Sequence, residues 1–190
     1  KLLYPNGTIQ HAGVAIGPWK TGYHIFNGFP ADDPAVNRYR EFQAVTAACM
    51  LVRKSVFLGL GGFDEAYRNG YEDVDFCLRA RKDGHRVLYV PESVLVHHEA
   101  ITEGRKTHEK HNLAIFHERW DATIEIDDVR IYAEEGMRRV VRPDGQWTLL
   151  RDSPARPPVS GFPNTTGRRG ELPQENRPGT DDRASRGRTL

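Results

Sequence analysis

The sequence lacks the long apolar runs, the cysteine pairs and the charge imbalance that each point to a particular class of protein. No apolar run approaches the roughly 20 residues that a membrane-spanning helix needs. The formal net charge is only +1, which argues against a general nucleic-acid-binding protein with its basic face. The two cysteines, Cys49 and Cys77, lie among apolar neighbours without metal-ligand spacing. We therefore expect small buried side chains in a reducing compartment rather than a disulfide.

Several common catalytic and metal-binding motifs are also missing. The histidines never form the H-E-x-x-H pattern of zinc proteases, and the residues after Asp64 do not fit the calcium-binding loop of an EF-hand. The sequence contains no G-x-G-x-x-G, no Walker phosphate loop and no nucleophile elbow. A function must therefore come from residues outside these patterns.

The composition predicts one globular domain followed by a tail. The 190 residues are 38% hydrophobic and 28% charged, which fits a single domain of ordinary size. From Arg151 onward, however, the chain holds six of its twelve prolines, eight arginines against five acids, and almost no large apolar residue. Such a segment cannot bury enough surface to offset its ordering entropy. We expect residues 151–190 to be a disordered tail rich in proline and arginine.

Apolar periodicity and turn residues predict an α/β fold for the rest of the chain. The run "AVTAACMLVRK" has the length of a strand and enough apolar residues for burial on both faces, and "KSVFLGLGG" is typical of a short helix stopped by two glycines. A second helix is expected from Glu72, with acids in its first turn and Gly84 at its end. Strands are expected for "HRVLYV" and "SVLVHH", and "THEKHNLAIFHERW" has the periodicity of an amphipathic helix.

An unusual concentration of acids lies just before the second predicted helix and in its first turn. Five acidic residues fall within twelve positions: Asp64, Glu65, Glu72, Asp73 and Asp75. Acids at a helix start complement the helix dipole by about 0.3–1 kcal/mol each, which accounts for Glu72 or Asp75 individually. The helix dipole does not account for residues 61–65, where two glycines and a neighbouring apolar and acidic residue predict a tight turn before the helix. The spacing alone leaves a functional site and a solvated loop equally open.

Two histidines, His97 and His98, close the last predicted strand. Successive side chains of a strand point to opposite faces, so only one of the two can face the same side as Leu95. A histidine at a strand end is more often a hydrogen-bonded polar residue than a metal ligand. The pattern by itself leaves both roles open.

Taken in order, these segments resemble the second half of the GT-A catalytic domain of family-2 glycosyltransferases, and most of all the bacterial rhamnosyltransferase-like and cell-surface polysaccharide enzymes. The resemblance covers roughly residues 1–120 and includes G-G-F-D-E, E-D-V-D-x-C-L-R, a helix-ending glycine, V-x-Y-V-P and a closing histidine. It implies a partial GT-A fold, the Rossmann-like α/β fold of nucleotide-diphospho-sugar transferases. The N-terminal nucleotide-binding half of that fold, with its D-x-D metal motif, is absent from the sequence.

The resemblance also implies how the chain is organised. We expect either the C-terminal part of a longer enzyme or a truncated gene product, which would not bind the donor by itself. Residues 1–120 would form the acceptor-side half of the domain, and residues 121–150 a family-variable extension to which we assign no function.

The family chemistry explains the carboxylates. Such enzymes transfer a sugar, with inversion, from a nucleotide-sugar donor to a hydroxyl of a glycan or lipid-linked saccharide acceptor. By resemblance, Asp73 is the general base that deprotonates this hydroxyl, and Glu72 supports it. Gly62, Phe63 and Asp64 would shape the acceptor pocket.

The same resemblance implies a divalent metal and a cellular location. His97 matches a histidine that, in several such enzymes, completes the coordination of Mn²⁺ or Mg²⁺ on the donor diphosphate, and His98 is the weaker candidate. We expect a cytoplasmic protein without a nucleic-acid partner, and leave open a peripheral contact with the inner face of the cell membrane.

Two functions of other classes stay open. One is a non-catalytic remnant that binds a carbohydrate or a protein through the acceptor half; glycan binding without binding of a metal–nucleotide complex would favour it. The other is a structural α/β interaction module in which the acids only cap helices. Tight, salt-sensitive binding that survives the loss of Asp73 would favour that alternative.

Overall fold

The computed structural model describes residues 1–98, 107–144 and 146–152, so the predicted tail, apart from its first two residues, lies outside the described residues. The described strands are short: Leu2–Leu3 (β1), Ile9–His11 (β2), Val14–Ile16 (β3), Gly22–His24 (β4), Arg40–Glu41 (β5), Leu88–Tyr89 (β6), Leu95–Val96 (β7), Met137–Val141 (β8) and Trp147–Arg151 (β9). The described helices are Lys54–Gly59 (α1), Glu72–Lys82 (α2), Glu109–Trp120 (α3) and Asp128–Glu134 (α4). Two 3₁₀ turns cover Pro34–Val36 and Ala47–Cys49.

The strands pair in small sheets. In the three-stranded sheet, β1 lies between an antiparallel β2 and a parallel β7. The pairs β3–β4, β5–β6 and β8–β9 are antiparallel. The pairing of β7 continues past its end, because the N–H of His97 donates to the carbonyl of Leu3 at 2.9 Å. This bond places His97 beside β1 and within reach of β2.

Two hydrophobic clusters hold these elements together. The first packs the early strands against α4 and β8, and its buried members include Ile9, Phe26, Phe42, Ile131, Tyr132 and Met137. The second packs α2 and α3 against β3, and its buried members include Val14, Ile16, Cys77, Leu78, Phe116 and Trp120. The second cluster fixes the body of α2, while the first residues of that helix lie only half-buried.

The three helices predicted from the sequence are confirmed. Helix α1 ends before two glycines, and α2 begins at Glu72 and is followed by Gly84 in a left-handed conformation (φ +86°). Helix α3 buries Phe116 and Trp120 on one face. None of the described helices has both the length and the apolar character that crossing a membrane requires.

The strand predicted for "AVTAACMLVRK" is wrong over most of its length. Only Ala44 makes a strand-like bridge, to Val14, and the chain then turns at Ala47–Cys49, where the Thr46 hydroxyl accepts a hydrogen bond from the N–H of Ala48. Leu51 is fully exposed. An apolar run needs a neighbouring strand to satisfy its backbone, and among the described residues no strand pairs with residues 45–53.

The same turn corrects the prediction for one of the two cysteines. Cys49 is exposed, whereas Cys77 is buried as predicted. Burial raises the pKa of the Cys77 thiol to about 12, and the thiol donates a weak hydrogen bond to the carbonyl of Val45. Cys77 is therefore a neutral core residue.

Gly13 offers a test of the packing between β2 and β3. Its φ is +117°, and a Cβ atom there would lie 2.2 Å from the Phe42 ring. We expect Gly13→Ala to lower the free energy of unfolding by at least about 2 kcal/mol, through overpacking and backbone strain. Gly59→Ala is the control, because nothing lies within 4 Å of that position; it should be neutral or slightly stabilising. Urea unfolding midpoints measure both, and equal midpoints for the two variants would contradict this packing.

Candidate functional site

The loop between α1 and α2 is shaped by the Gly61–Gly62 pair. Both glycines have positive φ, +77° and +72°, and the N–H of Gly62 donates to the carbonyl of Phe57 at 2.8 Å. The turn brings the Phe63 ring against Phe57 and Phe76, with centroids 5.3 and 5.6 Å apart. Phe63 nevertheless stays 38% exposed. Gly62 and Phe63 thus form a rigid, partly apolar surface.

Asp64 closes this loop with two hydrogen bonds. One carboxylate oxygen accepts from the N–H of Ala66 at 2.8 Å, and the other forms an ion pair with Arg119 of α3 at 2.6 Å. The Ala66 N–H, followed by Arg119, holds the pKa of the Asp64 carboxyl below its usual range. Asp64 is therefore an ionised residue that ties the loop to α3.

The sequence indicates where helix α2 begins but not which groups hold the turn before it. The residue before it, Tyr71, adopts a left-handed conformation (φ +72°) and provides no side-chain cap. Instead, the Glu72 carboxylate accepts from the N–H of Gly70 at 2.6 Å. Glu72 therefore fixes the turn that leads into the helix.

Asp73 joins the start of α2 to the turn at Ala47–Cys49. Its Oδ1 accepts from the N–H of Val74 at 2.8 Å, and its Oδ2 accepts from the N–H of Ala47 at 2.9 Å. The residue is half-buried. An ionised carboxylate can accept about four hydrogen bonds, so each oxygen keeps capacity for another donor. The side chain is thus fixed in place, and both oxygens remain able to accept a further hydrogen bond.

The fifth acid of the cluster, Asp75, has a structural role that sequence reasoning missed. Asp75 is completely buried. Its carboxylate accepts hydrogen bonds from Arg79 at 2.7 Å and from the Trp120 indole N–H at 2.9 Å. Arg119 and the Tyr67 hydroxyl lie at 3.4 and 3.3 Å. The sequence offered one usable signal, the acid–arginine spacing of four on a helix; its two α3 partners are distant in sequence.

His97 is positioned by an amide. Its Nδ1 lies 2.7 Å from Oε1 of Gln10 in β2, while the Gln10 amide nitrogen faces the His97 carbonyl at 3.4 Å. Because Oε1 can only accept, Nδ1 carries the proton, and in the neutral ring Nε2 then holds the lone pair. Metal-bound histidines are commonly oriented by such a contact. His98 is exposed.

The described part of the chain does not form a metal site by itself. Within residues 1–98, 107–144 and 146–152, no three His, Cys, Asp or Glu side chains lie close enough together to hold a metal ion. The tautomer of His97 fits a single ligand, and the remaining ligands would have to come from elsewhere. A polar cavity of about 260 Å³ between Glu41, Arg81 and Asp127 has none of the predicted site residues in its wall.

The predicted site residues therefore lie in three places. The structure brings Gly62, Phe63 and Asp64 into one loop that is bonded to α2 and α3. Glu72 and Asp73 lie at the start of α2, and His97 lies on a different element, after β7.

Comparisons with known proteins connect this arrangement to one family. The model of "Glycosyltransferase like family 2" matches residues 21–123. The chain is 39% identical over 108 residues to the O-antigen biosynthesis protein RfbC of Myxococcus xanthus, covering 54% of this chain and 8% of that protein. It is 38% identical over 88 residues to the N-acetylglucosaminyl-diphospho-decaprenol L-rhamnosyltransferase of Mycobacterium tuberculosis, covering 46% and 26%.

A third relative shows the same partial overlap. The rhamnosyltransferase WbbL of Escherichia coli is 45% identical over 49 residues, covering 26% of this chain and 19% of that protein. No solved structure matches the chain at a significant level. The chain thus spans between 8% and 26% of the length of these three curated relatives.

His11, next to Gln10 in β2, generates a prediction about pH. Burial, followed by the neighbouring His24, holds the pKa of His11 well below its ordinary value. The unfolded chain therefore binds a proton near pH 6.5 that the folded chain does not, so stability should fall as the pH drops through about 6.5.

The measurement is the free energy of unfolding at pH 7.5 and pH 5.5. We expect His11→Gln to lose less stability between these two values than the unsubstituted chain. His98→Gln, at an exposed position, is the matched control and should keep the original dependence. An unchanged pH dependence in His11→Gln would show that His11 is not the titrating group.

Proposed function

The chain belongs to glycosyltransferase family 2, and from that premise we propose that it forms the acceptor side of an inverting glycosyltransferase of polysaccharide biosynthesis. The donor would be a nucleotide sugar, and the acceptor a hydroxyl of a glycan or lipid-linked saccharide. The names of the relatives, an O-antigen biosynthesis protein and two rhamnosyltransferases, support this class of substrate. The observation that carries the proposal is the half-buried Asp73 carboxylate at the first turn of α2.

Asp73 would act as the general base. Its two backbone hydrogen bonds hold the carboxylate in one orientation, which removes the need to order a flexible side chain during the reaction. The remaining lone pairs can accept the proton of the acceptor hydroxyl as its oxygen attacks the anomeric carbon. Glu72 supports this geometry by bonding the Gly70 N–H before the helix.

The loop of Gly62, Phe63 and Asp64 would receive the acceptor. Phe63 offers a partly exposed ring on a packed aromatic cluster, and aromatic rings suit the apolar faces of sugars. Asp64, already paired with Arg119, would contribute by fixing the shape of this loop.

His97 would be the contribution of this chain to a metal site. Its Nε2 lone pair, set by Gln10, can bind a divalent cation, and an imidazole ligand favours Mn²⁺ somewhat over Mg²⁺. When bound, the cation would neutralise the charge that develops on the departing nucleotide diphosphate. The oxygen ligands would come from the diphosphate and from residues beyond those described.

The sharpest test of the base is Asp73→Asn in the full-length protein. The amide presents an NH₂ group to one of the two backbone N–H donors, so we expect a stability loss of about 1–3 kcal/mol. It cannot act as a base, so kcat should fall by about 10²–10⁴, while donor affinity should barely change.

Glu72→Gln is the matched control and should cost less activity than Asp73→Asn. Measuring kcat beside a thermal melt, at a temperature where each variant is folded, separates the two effects. An active, folded Asp73→Asn enzyme would refute the mechanism.

The metal proposal is tested by His97→Ala. We expect the metal concentration for half-maximal activity to rise about tenfold or more, which is the size of effect that substitutions around a metal site typically have on metal affinity. His98→Ala should leave it within about twofold, because that residue is exposed and a strand alternates its side chains. A titration of activity with Mn²⁺ and Mg²⁺ measures both variants, and equal effects would remove His97 from the site.

A further inference from the structure

Arg79 of α2 uses all three nitrogens of its guanidinium group, one on its own helix and two on the loop that precedes the helix. Its Nε bonds the buried Asp75 carboxylate at 2.7 Å. One terminal nitrogen donates to the carbonyl of Leu60 at 2.6 Å, and the other to the carbonyl of Gly62 at 2.7 Å. Two carbonyls on either side of Gly61 are therefore held by a single planar side chain, which is itself fixed by a buried anion.

These contacts need an arginine rather than a positive charge alone. The guanidinium presents its donors in a rigid fork, whereas a lysine ammonium is a compact point charge on a flexible stem. Lysine at this position could keep the ion pair with Asp75, but it could not reach both loop carbonyls with the same geometry. The fork thus sets the distance between the glycine turn and α2.

Arg119 of α3 provides a second link to the same loop. It donates to Asp64 at 2.6 Å and lies 3.4 Å from Asp75. The loop is therefore held at two places, at Leu60 and Gly62 by Arg79 and at Asp64 by Arg119, and both arginines meet the one buried carboxylate.

We propose that Arg79, through Asp75, is a positioning residue that holds the acceptor-binding loop in register with Asp73. This inference rests on the proposed function. Asp75 lies two residues after Asp73 on the same helix, so the network relates the loop to the base through one rigid element. Asp73 itself is fixed separately, by the N–H groups of Ala47 and Val74. Loss of the fork should therefore disturb acceptor binding more than the chemical step.

The test is Arg79→Lys in the full-length protein, with Arg81→Lys as matched control. Arg81 lies on the same helix and also donates to a carbonyl, that of Phe42 at 2.9 Å, away from the loop. We expect Arg79→Lys to raise the KM for the acceptor about tenfold, with kcat and the KM for the donor within about twofold. Arg81→Lys should leave all three constants unchanged.

Hydrogen exchange of the amides of residues 61–64 gives a readout that does not depend on activity. It should be faster in Arg79→Lys and unchanged in Arg81→Lys. Arg119→Lys provides a second variant, on a partly exposed side chain, and should show the same split between KM and kcat.

The outcomes separate the two proposals. Unchanged exchange, an unchanged acceptor KM, or a loss of kcat and both affinities together would overturn the positioning role. Absence of sugar transfer by the unsubstituted protein would overturn the proposed function, and the acceptor-binding role of Arg79 with it. In that case faster exchange would still show that Arg79 orders the loop.

Discussion

The part of the structure around α2 depends on one buried charge. Asp75 is completely excluded from solvent, and an ionised carboxylate in such a position is tolerated only when it is paired and hydrogen-bonded. Its partners come from the loop (Tyr67), from α2 itself (Arg79) and from α3 (Arg119 and Trp120). If the loop or α3 moved away, Asp75 would lose the hydrogen bonds from Tyr67 or from Trp120 and Arg119 and would keep only the ion pair with Arg79 of its own helix. The helices are thereby fixed relative to the loop, and the loop relative to the half-buried Asp73.

Buried carboxylates also link the last described residues of the chain to its first residues. Asp127 accepts from the N–H of Ile16 at 2.7 Å, Asp128 from the hydroxyl of Tyr23 at 3.1 Å, and the buried Glu135 forms ion pairs with Arg38 and Arg40. Each joins a residue after position 126 to one before position 41. The family match ends at residue 123, but the hydrophobic core does not, since Ile131, Tyr132 and Met137 pack with Ile9 and Phe26. Residues 121–152 are therefore integrated into the fold of the preceding residues.

Sequence reasoning succeeded where local signals decide the structure. All three predicted helices are confirmed, because their signals act over a few residues. These signals are the acids and the glycine at the two ends of α2, the glycine pair after α1, and the apolar spacing of α3. The order of the motifs also identified the family and its α/β fold. It failed for "AVTAACMLVRK", because a strand exists only if a partner satisfies its backbone, and no local pattern can show whether that partner is present. It missed the partners of Asp75 for the same reason, since Arg119 and Trp120 lie more than 40 residues away.

The acids that the sequence placed together differ in how much hydrogen-bonding capacity the fold leaves them. Asp75 faces four donors and no solvent, so its oxygens are committed to the structure. Asp64 is held by a backbone N–H and an arginine, which favour its charged form. Within the part of the chain that the structure describes, Asp73 accepts from two neutral backbone N–H groups, one on each oxygen, and remains half-buried. A base must be oriented and must also take up a proton. Two neutral N–H donors orient the Asp73 carboxylate and leave each of its oxygens able to accept a further hydrogen bond. Of the three acids Asp64, Asp73 and Asp75, Asp73 is the one held by neutral backbone donors, which is consistent with the role of base proposed for it.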